Sequence, residues 1–411
     1  MQSKAIAIIG AGGRGHEFAQ MFHDAQPKAK VVAVAEPREG YRQRLAQQYG
    51  LAPANVMKDW QEFVTRPKLC DAVYIATMDR DHCAPAVACM KLGYDVLLEK
   101  PLAATLADCQ LIEATQRATG CIFAVCHSLR YQKGFRRVKE LLEAGAIGRV
   151  MSVNLTEQVA WWHQAHSFVR GNWGNEGRSS FMLLAKSCHD IDYLHYLVGK
   201  SCLSVSSFGA LSYFRAENAP AGSGARCVDC AVERTCNYSA IKQYVESKRE
   251  EWPANVVALD HSRETHLSAI GSSPYGRCVW KCDNDVVDHQ TVNMLFEDDV
   301  TAVFTMTAFT QGGGRVLRVH GTLGELFFEE TSITIKTFGD GNTTPIKLGS
   351  ETGAHGGGDQ RIVDTFIDAL FSRDDSQIVA SAQESLKTHS VVFAAEQSRC
   401  EGRTVNLSGG K

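Results

Sequence analysis

The first 130 residues alternate between short unbroken apolar runs and longer segments of helical period. Runs at 5–9, 31–35, 72–76, 96–98 and 122–125 carry almost no polar residue, which suits strands covered on both faces, as in a parallel sheet. Between them, helical patterns occupy 16–22, 42–49, 60–66, 84–92 and 106–119, with Thr105 standing where a helix cap belongs. This alternation predicts an α/β fold, a doubly wound parallel sheet over residues 1–127. From residue 128 the rhythm changes. A helix is expected at 135–142, a strand at 148–155, and further strands at 203–208, 286–296, 301–307, 315–320, 324–329 and 333–337. These later strands alternate polar and apolar positions, so one face is covered and the other is open. The second domain, 128–411, is therefore predicted to be α+β around a mainly antiparallel sheet, completed by helices at 360–370 and 382–396 and carrying a cysteine-rich insertion around 212–282.

The ends of the parallel strands carry the chemistry. Gly10-Ala11-Gly12-Gly13-Arg14-Gly15 follows the first run and opens a helix. Glycines at this spacing permit a tight turn and let a pyrophosphate approach the free N–H groups of the helix start. The second run ends in Glu36, 21 residues after Gly15, where a carboxylate accepts from adenosine ribose hydroxyls and repels a 2′-phosphate. NAD is expected rather than NADP, although Arg38, two residues on, favours a phosphate. The run at 96–98 stops abruptly in Glu99-Lys100-Pro101. Pro101 cannot join a ladder and keeps Lys100 extended, so Lys100 is expected at the carboxyl edge of the sheet, where open α/β sheets bind ligands.

A net charge of -3 over 411 residues gives no reason to expect nucleic acid or an anionic membrane as partner. No stretch approaches the roughly 20 apolar residues that span a bilayer. The run after Lys4 is too short for a signal peptide, so a cytoplasmic protein with reduced thiols is expected. Most of the 14 cysteines then read as small buried side chains. One group stands apart: Cys227 and Cys230 in a Cys-x-x-Cys, followed by Cys236, Cys278 and Cys282. Cys227, Cys230 and Cys236 with Cys278 (or Cys282 in its place) suit a closed structural zinc site, the alternatives being an iron–sulfur cluster, disulfides or free thiols.

Taken with Ala76-Thr77, His82, Ile147-Gly148-Arg149-Val150 and His189-Asp190-Ile191-Asp192, these motifs resemble one family along most of the chain. It is the glucose–fructose oxidoreductase, inositol dehydrogenase and MocA (Gfo/Idh/MocA) family of nicotinamide-dependent sugar oxidoreductases. The resemblance implies a Rossmann domain followed by a large open antiparallel sheet through which the chain forms a homodimer or homotetramer. It implies that Thr77, His82 and Glu99 border the cofactor, that Lys100 hydrogen-bonds the reacting hydroxyl, and that His189 is the general acid/base. A histidine titrating near neutrality suits removal of a hydroxyl proton, and a lysine stabilises a developing alkoxide. Many members carry an aspartate four residues ahead of the histidine; here that position is Ala185, followed by Lys186. At helical i,i+3 spacing Lys186 would stand beside His189, and Lys186 and Asp190 are candidate supporting groups.

Substrate contacts are expected from Arg130 and Tyr131 beyond the last parallel strand. Others are expected from Trp162, His163, Arg170, Asn172 and Trp173 ahead of His189, and from His355 and Asp359 before a closing helix. Aromatic rings suit the apolar faces of a sugar, and polar side chains its hydroxyls. The activity the resemblance implies is oxidation or reduction of a secondary hydroxyl of a sugar, cyclitol or glycoside with NAD. The alternative is an NAD-dependent glycoside hydrolase working by transient oxidation, elimination, water addition and re-reduction.

Overall fold

A computed structural model of the chain describes residues 3–329, 331–339, 341–349 and 354–407. Strands β1 (Lys4–Ile9), β2 (Ala29–Ala35), β3 (Val56–Met57), β4 (Ala72–Ile75), β5 (Asp95–Leu98) and β6 (Phe123–Val125) form an all-parallel sheet in the order β3-β2-β1-β4-β5-β6. Helices α1 (Gly13–Asp24), α2 (Glu39–Gln48), α3 (Trp60–Val64), α4 (Cys83–Lys91) and α5 (Leu106–Thr119) accompany it. Successive residues of one strand enter opposite cores. Ile6, Ile8, Tyr74 and Leu97 join Phe18 and Phe22 on one side, while Ile9, Val73, Ile75, Val96 and Leu98 join Ile112 on the other. Both faces are buried, which is why the runs are unbroken. The strand order reverses between β1 and β4, opening a crevice over their carboxyl ends. The Thr105 hydroxyl caps α5 by accepting from the Asp108 N–H at 3.1 Å.

The second domain adds α6 (Lys133–Glu143), β7 (Val150–Gln158), α7 (Trp161–His163), α8 (Met182–Ala185) and α9 (Cys188–Val198). Its sheet continues with β8 (Cys202–Ala210), and helix α10 (Arg263–Ser272) lies in the insertion. Then come β9 (His289–Phe296), β10 (Thr301–Thr307), β11 (Gly314–Gly321), β12 (Gly324–Glu329), β13 (Ser332–Thr337), β14 (Thr343–Lys347) and, near the end, β15 (Val405–Asn406). The nine strands order as β14-β13-β12-β11-β7-β10-β9-β8-β15, antiparallel throughout except for the parallel pair β7–β10. The sequence gives no sign of β14, which contains Pro345 and buries none of its residues, or of α10, where only His266 and Ile270 are buried.

The closing helices, α11 (Gly358–Ser372) and α12 (Ala382–Glu401), depart from the expectation that they complete the second domain. Ile362, Val363, Phe366, Ile367 and Leu370 of α11 share a core with Ile6, Phe18 and Tyr74, so this helix packs on the first sheet. In α12, Ala382 joins the other Rossmann core while Val391, Val392 and Ala395 join that of the second domain. An apolar stripe shows that a helix packs; it does not say against what. Among the described residues no helix is long and apolar enough to cross a membrane.

Candidate active site

At the crevice, two glycines of the loop sit where contacts exclude any side chain. A Cβ on Gly10, whose φ is +92°, would lie 2.5 Å from the Ala76 carbonyl oxygen, and one on Gly15 only 2.0 Å from that of Gly10. Gly12 caps α1 without a side-chain acceptor, no acidic residue stands in its first turn, and nothing lies within 4 Å of a Cβ built on Gly13. The helix start is thus an open cradle of N–H groups that fits a dinucleotide pyrophosphate. Beside it Glu36 is buried, accepting from the Ala11 N–H at 2.8 Å and from the Arg38 N–H and Nε at 2.9 and 2.7 Å. Burial alone would raise the Glu36 pKa, but the bonds from Arg38 and Ala11 outweigh it and keep the carboxylate below its ordinary value. Arg38 also lies over the Tyr41 ring at 4.1 Å. Glu36→Ala would release this guanidinium at the place where a 2′-phosphate binds. The ratio of kcat/KM with NADP to that with NAD is then expected to rise about 10-fold or more, the worth of one charged hydrogen bond. An unchanged ratio would remove Glu36 from cofactor selection.

Several residues expected at the cofactor or substrate fasten the crevice. Arg14 gives Nε to Glu99 at 2.9 Å and Nη1 to Asp359 at 2.9 Å, Tyr74 donates to Glu99 at 2.8 Å, and Ser128 donates to Asp359. This ties the start of α11 to the glycine loop. Thr77 donates to the Asp81 carbonyl at 2.9 Å. His82 donates Nδ1–H to the Pro101 carbonyl at 2.7 Å, while its Nε2 lies 3.3 Å from that of Thr77, joining the loops after β4 and β5.

Lys100 crosses the domain boundary: its Nζ donates to the Ala185 carbonyl at 2.6 Å. Ala185 ends α8, the helix breaks at Lys186 and Ser187, and His189 lies buried in the first turn of α9. Because of that break, Lys186 does not follow the i,i+3 geometry expected from a continuous helix. It pairs with Glu157 at 2.9 Å; Glu157 in turn faces Arg315 at 3.0 Å, and Arg315 donates to Asp190 at 2.6 Å. Burial pushes the Asp190 pKa up to about 6, against the pull of Arg315. Glu157 has a signature that sequence reading overlooked: it occupies the inward register of β7 after Val153 and Leu155.

Beneath His189 lies a row of rings, with His127 5.8 Å from His189 and 5.7 Å from His389. Arg130 is buried and forms a bidentate pair with Asp192 at 2.7 and 2.8 Å, so it clamps α9. Tyr131 is buried in the core it shares with α11. Arg170, also buried, donates to the carbonyls of Arg277 at 2.7 Å and Tyr238 at 2.5 Å, holding the insertion. Trp173 donates to Asp79 at 3.1 Å across the domain boundary, and Asn172 is exposed. Trp162 and His163 make ring contacts with Trp252, which no motif singled out. The side chain of His355 lies outside the described residues.

The expected zinc site does not materialise. Cys227, Cys230, Cys236 and Cys278 line one cavity of about 10 Å³, hardly room for one water. Among the described residues, however, no group of three or more His, Cys, Asp or Glu is arranged to hold a metal ion. The Arg170 guanidinium stands 3.6 Å from the Cys227 sulfur, placing a fixed cation where a metal would compete, and Cys282 donates to the Cys278 carbonyl at 3.3 Å. All 14 cysteines are free thiols.

The NAD-binding Rossmann-fold part of one oxidoreductase family matches residues 4–127, and its C-terminal alpha/beta part matches 139–407. The chain belongs to the Gfo/Idh/MocA oxidoreductase family. Within it, the chain is 26% identical over 285 residues to the scyllo-inositol 2-dehydrogenase (NAD(+)) of Bacillus subtilis, covering 65% of this chain and 78% of that protein. It is 28% identical over 199 residues to the 2,7-anhydro-N-acetylneuraminate hydratase of Mediterraneibacter gnavus, 48% of this chain and 50% of that protein. Several curated relatives are matched over about half their length in this way. The fold superposes on the scyllo-inositol dehydrogenase of Lactobacillus casei, solved with NAD(H) and scyllo-inositol. That match has a TM-score of 0.69 at 16% identity and covers 99% of this chain and 100% of that one.

Proposed function

We propose that the protein is an NAD-dependent oxidoreductase acting on a secondary hydroxyl of a sugar, cyclitol or glycoside, with Lys100 and His189 at the reacting oxygen. The observation that carries this reading is the reach of Lys100, from the carboxyl edge of the first sheet to the Ala185 carbonyl at 2.6 Å, just ahead of His189 in the other domain. NAD would be held by the Gly12–Gly13 cradle and Glu36, and when bound it accepts or returns the hydride. His189 takes the hydroxyl proton. Lys100 exchanges the Ala185 carbonyl for the substrate oxygen and stabilises the charge that develops there. His127, whose pKa burial pushes down to about 4, stays neutral at pH 7 and adds no like charge beside the histidine that must accept the proton.

A second reading, the redox-neutral glycoside hydrolase, uses the same residues. It is supported by similarity to a protein named as a hydratase, whose net reaction is addition of water. A panel of free sugars, cyclitols and chromogenic glycosides, run with and without NAD while NADH and aglycone are followed together, separates the two. NADH formed from a sugar is the expected result. NAD-dependent aglycone release without NADH would replace the first reading by the second, and silence across the panel would count against both.

A further inference from the structure

Besides the crevice, the second domain has a cleft of about 700 Å³ between α7 and the cysteine-rich insertion, walled by Trp161, Trp162, Tyr238, Lys242, Gln243 and Trp252. We propose that this cleft is a distal sugar subsite, holding the ring beyond the one that is oxidised, so that the substrate is a glycoside of at least two rings. The inference rests on the proposed sugar chemistry of the crevice and names its substrate class.

Its volume falls within the range of about 300–1,000 Å³ typical of small-molecule sites, and its walls combine aromatic faces with neutral polar groups. Trp162 and Trp252 meet at 5.4 Å with their planes at 63°, and Trp161 meets Tyr238 at 5.5 Å and 80°, so two corners of ring surface face the space. Trp252 is 46% exposed, a large ring left in water. Such faces take the C–H surfaces of a pyranose. Among the described residues no carboxylate lines the cleft. The cationic side chain that lines it, Lys242, is held by the carbonyls of Arg234 at 2.6 Å and Cys236 at 3.2 Å, and Gln243 is fixed by the Trp162 carbonyl at 2.8 Å. A neutral, hydroxyl-rich ring matches this lining better than a charged ligand.

The cleft also connects to the chemistry. His163 packs against Trp252 at 4.7 Å and Trp162 at 5.8 Å, while burial and then the charges of Lys186, His166 and Lys100 hold its pKa well below the ordinary value. His163 thus stays neutral, touching the aromatic walls of the cleft while lying within electrostatic reach of the two lysines. The insertion forming the outer wall is fastened by Arg170 to the Tyr238 and Arg277 carbonyls, which gives the cysteine-rich segment a purpose without metal.

The test is calorimetric titration of the NAD-loaded full chain with cellobiose, maltose, lactose and melibiose, and with glucose and galactose. At least one disaccharide is expected to bind about 10-fold tighter than its own monosaccharides. Trp252→Ala should erase that advantage and Trp252→Phe should keep most of it. Equal affinity for single and paired rings, or an advantage that survives in Trp252→Ala, would overturn the subsite. NADH recorded in parallel keeps the two claims apart. A Trp252-dependent preference without NADH would sustain the subsite and count against oxidation, whereas NADH from monosaccharides with no disaccharide preference would do the reverse.

Discussion

Lys100→Ala is expected to lower kcat by about 10²–10³, the effect of removing one donor from a developing oxyanion. His189→Ala should lower it by about 10²–10⁴, the usual worth of a positioned acid or base. In both variants NAD affinity should stay within a few-fold of wild type, because the cradle is built from the Gly10–Gly15 loop and Glu36. Initial rates of NADH formation, read beside NAD binding by calorimetry, check this. The pH profile adds a readout that a structural role would not move: the acid limb of kcat/KM should disappear with His189 and persist without Lys100. Near-normal turnover in either variant would end its assignment. Arg130 offers a contrast, since losing it strands the buried Asp192 carboxylate and should cost stability of about 3–5 kcal/mol before it alters chemistry.

The second large effect is on stability. His127, His166 and His389 are buried, and burial, in each case the main cause, pushes their pKa values down to about 4, 3 and 3. A folded value depressed below the unfolded one means that the stabilising contribution is complete above the unfolded pKa of about 6.5 and is lost as pH falls towards the folded values. At pH 5 each histidine has lost on the order of 2 kcal/mol. Asp190 acts in the opposite sense. Its folded value of about 6 lies above the ordinary 3.8, so its contribution is full at low pH and lost as pH rises through about 6. Between pH 7 and 5 it offsets about 1 kcal/mol, leaving a net loss on the order of 5 kcal/mol. Calorimetric melting should therefore show a fall in Tm of about 6 °C between pH 7 and pH 5. His389→Gln should flatten that slope by about two-fifths. A Tm that does not change over the interval would refute the buried neutral histidines.

Much of this protein is written locally. The unbroken runs determine the parallel sheet because both of its faces are covered, and the alternating runs determine the open sheet because one is not. The glycine loop and the Glu36 strand end are equally local, since their spacing alone sets the turn, the helix start and the reach to a ribose. Lys100 is legible because proline stops its strand at the sheet edge. Other features depend on contacts between distant segments, which no local period encodes. Only the folded chain turns Arg130 inward to Asp192, sends Arg14 to Glu99 and Asp359, and breaks the helix between Lys186 and His189 so that Lys186 meets Glu157. The same reason explains why α11 leaves the second domain for the first: its stripe of Ile362, Val363, Phe366 and Leu370 fits any apolar surface, and tertiary packing selects the one beside Phe18. The cysteines make the point in reverse. Their spacing brings four sulfurs towards one cavity, and the tertiary structure fills the approach with the guanidinium of Arg170.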